Sequence, residues 1–317
     1  MKVIFDVLGR RARDLFNYIH ARPPSSRAAR SYEIPRWLIA PPVSDRVPWQ
    51  WQVPSLEEPV SQLCTSEQMT GPFYEAVCAQ IHEVPRAHRK VWEFVYIMAV
   101  LSRHGKIGPG MRLLGFGVGC ETLPAVFASL GAAVVGTDAP ASTIANHGWQ
   151  NTNQHAADLE ALYRPHILSH EMFRERVRFE AVDMNAIPEH LKDFDACWSA
   201  CAFEHLGSID KGLDFVANSV KTLRPGGIAV HTTEFNLSSN DKTFDRNYLA
   251  LFRRRDFERL AERLVNEGHK VWPLNLYPGS TEVDAHIDLP PYDMPHLKLE
   301  VGGYVTTSFG IIVQRGT

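Results

Sequence analysis

The sequence predicts an α/β fold, a doubly wound and mostly parallel sheet of seven strands with helices on both faces and an antiparallel final strand. Three observations carry that expectation. From residue 111 onward short apolar runs alternate with amphipathic segments, the pattern of strands joined by helical crossovers. The first run ends in spaced glycines, Gly115, Gly117 and Gly119, and the second ends in an acid, Asp138. The last run, residues 304–314, is long and β-rich, suited to closing a sheet.

The first strand, glycine turn, helix and second strand occupy residues 111–138. The glycines permit positive φ angles and let a ligand approach bare backbone. The free N–H groups opening the next helix favour a polar or anionic ligand at the same place. Asp138 lies about 20 residues beyond the turn, where an acid at a strand tip can bond two ribose hydroxyls. A helix is expected over 141–163, then strands over 177–184 and 194–201, and a helix over 209–223. A turn at 224–227 leads into a fifth strand over 228–235; a helix at 256–267 and a sixth strand at 270–274 follow.

Three regions precede or interrupt this pattern. Residues 1–70 combine an amphipathic helix over 1–20 with a proline-rich arm. That arm carries Trp37, Trp49 and Trp51, more indole than a disordered linker holds. Its basic start, residues 1–36, suits docking on the body or contact with an anionic membrane surface, and the arm suits packing on the body or on a second copy. Residues 71–105 form a helical cap, with helices at 73–82 and 86–104, ahead of a core over 106–317. An insert at about 277–303 breaks the sheet before its last strand and holds His286, Asp288 and His296 among prolines.

Bulk properties bound the function. A net charge of −3 gives no whole-chain reason to expect nucleic acid as a partner. The five cysteines form no C-x-x-C pair, which suits reduced thiols in the cytoplasm better than a disulfide framework. No apolar run approaches a membrane span.

Four stretches together resemble class I S-adenosylmethionine-dependent methyltransferases. They are the G-x-G-x-G turn, the acid Asp183 in FEAVDMN, the segment FDACWSACAFEHLGSID, and LRPGGIAV. The resemblance spans about residues 86–317 and is closest over 111–235. It implies a Rossmann-like sheet, S-adenosyl-L-methionine as cofactor, and cofactor contacts at Gly115, Gly117, Gly119, Asp138, Asp183 and Met184. The chain departs from the family pattern at Leu113, where an acid usually helps hold the methionine amino group. Glu121 stands just past the glycines and can take that role, or simply sit well at a helix N-terminus.

Ligands of open α/β sheets sit beyond the carboxyl ends of the strands. That rule selects His205, Glu234 and Asn236. His205 has the ordinary pKa range of a general base near neutrality; equally, Glu204 and His205 can cap the next helix or brace the cofactor loop. Asn236, His286, Asp288 and His296 suit a polar substrate. With Glu234, the insert's acids and histidines could instead chelate a divalent ion, or form a solvated loop. The function expected is methyl transfer, at oxygen, to a small-molecule or glycan-like polar acceptor. The rivals are an NAD-dependent oxidoreductase, disfavoured by Cys120 where a dinucleotide fingerprint has its third glycine, and a non-catalytic cofactor-binding sensor.

Overall fold

The computed structural model describes residues 31–140, 155–246 and 248–317. The amphipathic helix expected over 1–20 and most of the helix expected over 141–163 lie outside them. Within the latter span, residues 155–163 hold only one 3-10 turn, Glu160–Leu162.

The strands are β1 (Trp49–Gln50), β2 (Ser61–Leu63), β3 (Arg112–Phe116), β4 (Ala133–Asp138), β5 (Val177–Ala181), β6 (Phe194–Ala200), β7 (Leu223–Asn236), β8 (Asp245–Arg246), β9 (Leu249–Ala250), β10 (Lys270–Val271), β11 (Leu274–Asn275), β12 (Leu299–Val301) and β13 (Tyr304–Gln314). The central order is β5-β4-β3-β6-β7-β13. From β5 to β7 neighbours run parallel, and β13 lies antiparallel to β7. The expected doubly wound sheet with an antiparallel last strand is therefore present.

The principal helices are α1 (Pro72–Gln80), α2 (Arg89–Arg103), α3 (Leu123–Ser129), α4 (His170–Arg176), α5 (Ile209–Val220) and α6 (Arg254–Asn266). Strand alternation divides the core between two faces. Leu113, Trp198, Val230 and Ile312 pack with α2 and α3 on one side. Their chain neighbours Leu114, Cys197, Ala229 and Ile311 pack with α5 and α6 on the other. This period of two, with both faces covered, explains why the strands read as continuous apolar runs.

The sheet is wider than seven strands: among the described residues, eleven join it. The arm supplies two of them. β2 pairs antiparallel with β13 and parallel with β11, and β1 continues beyond β11. The sixth strand splits for this reason. β10 pairs directly with β13, and then β2 wedges between β13 and β11. β12 folds back on β13 as a hairpin and ends the insert. The turn expected at 224–227 is absorbed into β7 as an irregular start, with a register shift against β6 between Phe194 and Ala196.

Candidate active site

The glycine turn joins β3 to α3. Its three glycines serve different ends. A Cβ on Gly115 would lie 2.4 Å from Val118 and 2.5 Å from the Trp198 ring, so this position makes room for the indole. Gly117 has φ +58°, and its Cβ would meet the Ala202 Cβ at 2.8 Å and the Met184 sulfur at 3.3 Å. Gly119 has φ +50° and its N–H donates to Asp138 at 3.1 Å. These two keep bare backbone at the mouth of the turn.

Asp138 ends β4 and is 9 % exposed. Besides Gly119, the N–H groups of Ala139 (2.7 Å) and Ala156 (2.9 Å) donate to it. Burial raises its pKa against those three donors. Three of the roughly four acceptor positions of a carboxylate are thus in use. A diol bonding both oxygens would exchange places with one of these amides. Asp183 lies past β5, where its carboxylate accepts from Asn185 N–H at 2.9 Å, and Met184 is buried beside the turn. Glu121 accepts a hydrogen bond from the Trp198 indole at 2.7 Å, and burial pushes its pKa up to about 8.

Across the carboxyl ends of β6 and β7 lies a charged cluster that sequence reasoning largely missed. Glu93 of α2 is fully buried. It accepts from Lys90 (3.1 Å), the Cys201 thiol (3.0 Å) and the Ser308 hydroxyl, with Arg89 at 3.9 Å. Burial works against its charge, yet Lys90, Arg89 and the two neutral donors hold the carboxyl below its ordinary value. Arg89 also pairs with Glu234 and donates to Ser308 at 3.3 Å. Burial raises Glu234 and Glu204; Thr233 donates to Glu204 at 3.0 Å. Cys201 leaves β6 with φ +50°, a strained backbone for a residue with a side chain. Burial, Glu204 and Glu93 keep its thiol protonated. The available signal was in α2 itself: a carboxylate set inside the apolar run V-W-E-F-V, with basic residues three and four positions before it.

His205 belongs to the same edge. Its Nδ1–H donates to the Tyr248 carbonyl at 2.6 Å, which leaves the lone pair on Nε2, 3.9 Å from Glu204. Burial pushes its pKa down to about 4 against the pull of that carbonyl and Glu234. It is a neutral imidazole near pH 7, and the expected titration near the ordinary histidine value is corrected.

Asn236 is engaged by its own loop. It is buried, donates to Lys242 O and Thr243 Oγ1, and accepts from the N–H groups of Ser238 and Ser239. All its hydrogen-bonding capacity shapes the loop after β7. In the insert, Asp288 and His296 bond each other at 2.5 Å, and burial raises Asp288 to about 6. The His296 ring lies tilted against that of His88 with centroids 4.6 Å apart, and its carbonyl accepts from Arg89 N–H, which ties the insert to the start of α2. His286 bridges to Ser31 of the arm instead. Among the described residues the grouping with metal-ligand spacing is Cys201, Glu204 and Glu234, within 4.8 Å of one another; no residue of the insert joins it. Arg89, paired with Glu234, opposes a cation there.

No family model matches the chain, and no curated protein matches it. Several solved structures are similar in fold. The CcbJ methyltransferase from Streptomyces caelestis is 12% identical, with 67% of this chain and 92% of that one covered at a TM-score of 0.40. A TehB-like SAM-dependent methyltransferase from Corynebacterium glutamicum is 16% identical, with 76% and 92% covered at 0.40. An S-adenosylmethionine-dependent methyltransferase from Mesorhizobium loti is 12% identical, with 78% and 100% covered at 0.41. The fold of this chain rests on its own strand order, β5-β4-β3-β6-β7-β13 with the last strand reversed, which is the Rossmann-like sheet that the sequence resemblance implies.

Proposed function

We propose that this chain transfers a methyl group from S-adenosyl-L-methionine to an oxygen of a small-molecule or glycan-like polar acceptor. One observation carries the reading. A glycine turn with an acid at the next strand tip stands beside a cluster of titratable side chains, all at the carboxyl edge of one parallel sheet. The residues suit the cofactor: Gly117 and Gly119 leave space at the turn, Asp138 and Asp183 offer carboxylates, and Glu121 faces the methionine end. When bound, the cofactor would supply an electrophilic methyl group on a sulfonium.

The chain's own contribution is alignment and proton removal. His205 is the base in this reading. The Tyr248 carbonyl fixes its tautomer, and burial keeps it neutral, so Nε2 can take a hydroxyl proton. Glu234, paired with Arg89, positions the acceptor. The insert and the arm close the pocket: the backbone N–H of Tyr32 donates to the Ala285 carbonyl at the base of the insert.

Calorimetry with adenosylhomocysteine and with NAD tests the cofactor; binding of NAD alone would overturn the reading. His205→Ala should lower turnover of a labelled methyl group by about 10²–10⁴ and spare adenosylhomocysteine affinity. At saturating cofactor the wild-type rate should be flat from pH 6 to 8, because the imidazole is already neutral there. A rate that climbs through pH 6.5 would assign the base elsewhere.

A further inference from the structure

The ligand proposed above is charged at its amino-acid end, with an α-ammonium and an α-carboxylate. Glu121, once deprotonated, offers an anion to that end, but the ligand's carboxylate needs a cation or a set of N–H donors. Three cations of the described residues stand close to the glycine turn or to the exit of β6. Arg164 is consumed by backbone: its two Nη atoms donate to the carbonyls of Ala161, Tyr163, Cys120 and Glu121. Arg89 is buried and spent on Glu234, Glu93 and Ser308. Lys90 is different. Its side chain is 41% exposed, in contrast to Glu93 at 0%.

The Lys90 ammonium is held at a defined point. It donates to Glu93 at 3.1 Å and to the Ala200 carbonyl at 2.9 Å, the last residue of β6. Two of its three hydrogens go to these oxygens, and the ammonium also lies 5.3 Å from the Phe94 ring centroid, a weak contact that a carboxylate can replace. Ala200 is two residues before Ala202, the residue that a Cβ on Gly117 would strike. Lys90 therefore stands at the exit of β6 beside the glycine turn. Although burial opposes its charge, the Glu93 carboxylate raises its pKa, so it is charged at neutral pH. Glu93, anchored in turn by Arg89, Cys201 and Ser308, fixes the lysine from behind.

We propose that Lys90, carried by the helix before the glycine strand, anchors the α-carboxylate of the cofactor, with Glu121 opposite it for the α-ammonium. The assignment rests on the cofactor reading above. In this chain α2 then does more than cover the pocket, because it supplies the charge that distinguishes the amino-acid end of the ligand. Leu113, which lacks a carboxylate, is consistent with that end being read from α2 and Glu121.

The test compares two ligands by calorimetry on the full chain. Adenosylhomocysteine carries the amino-acid end; methylthioadenosine keeps the adenosine and thioether and lacks it. Lys90→Met should weaken adenosylhomocysteine roughly 10- to 100-fold, the range for losing a charged hydrogen-bond partner. Methylthioadenosine affinity should stay within about twofold, a difference too small to reflect a lost hydrogen bond. Unchanged adenosylhomocysteine affinity would overturn the assignment. Equal weakening of both ligands would overturn it too, since Lys90 would then only support the fold of the pocket. A wild-type chain that binds neither ligand overturns the cofactor reading and this assignment together. Binding of methylthioadenosine without tighter binding of adenosylhomocysteine overturns the assignment alone.

Discussion

The two halves of the strand edge are built by opposite means. Around β3 and β4 the working groups are backbone: the Gly117–Gly119 turn and three N–H groups that converge on Asp138. Around β6, β7 and β13 they are side chains meeting across the chain. Glu93 bonds Cys201 108 positions away and Ser308 215 positions away, and Lys90 reaches Ala200 across 110. The first half needs no buried formal charge besides Asp138. The second buries Arg89, Glu93, Glu204 and Glu234 together. A backbone cradle tolerates a range of side chains around it, whereas a buried charge cluster depends on every partner.

The largest expected effect follows from that dependence. Glu93→Ala removes the acceptor shared by Lys90, Cys201, Ser308 and Arg89. Breaking a buried pair from one side costs about 3–5 kcal/mol, so the variant should lose most of its margin in denaturant unfolding. A loss below about 1 kcal/mol, the range of an exposed pair, would mean that the cluster is solvated and the contrast between the halves is false.

The same contrast decides what could be read from the sequence. The turn and Asp138 lie within one short run, so spacing located them, and the succession of strands and helices followed from apolar periodicity. Spacing could not show that Gly115 serves Trp198, because that indole comes from β6. Nor could it show that Asn236 is consumed by Lys242, Thr243, Ser238 and Ser239 in a loop whose path is set by tertiary contacts. Among the described residues the prolines of the arm stand outside any long helix. They gave no hint that Ser61–Leu63 wedges into the sheet, since a three-residue strand carries no periodic signal. Glu93 was visible as a misfit in an apolar helix, but its partners were not.

A buried polar group with no ligand role provides a control. His231 in β7 meets the Ser199 hydroxyl at 2.8 Å and the Ser219 hydroxyl at 2.9 Å, and burial pushes its pKa down to about 3. The unfolded chain binds that proton near pH 6.5. Its contribution is therefore complete above that pH and lost as pH falls toward 3, by about 1.4 kcal/mol per unit, or roughly 2 kcal/mol between pH 6.5 and 5. Denaturant unfolding of His231→Gln should show a flatter pH dependence than wild type over this interval. Parallel slopes would place the acid sensitivity in the charged cluster instead.

The smallest effect separates the halves at the point where they meet. Glu121 belongs to the glycine turn, yet Lys90 and Glu93 act on it through charge. Burial holds its carboxyl at about 8, so at pH 7 most molecules carry it protonated. A ligand α-ammonium calls for the carboxylate, and binding must then release a proton. Adenosylhomocysteine affinity should rise with pH up to about 8 and flatten above it, gaining on the order of tenfold between pH 7 and 8.5. Methylthioadenosine lacks the ammonium and should show no such slope, and Glu121→Gln should abolish it for adenosylhomocysteine. If the slope persists in Glu121→Gln, the titrating group lies in the side-chain half. If wild type shows no slope, Glu121 stays with Trp198 and the methionine end is held by Lys90 alone.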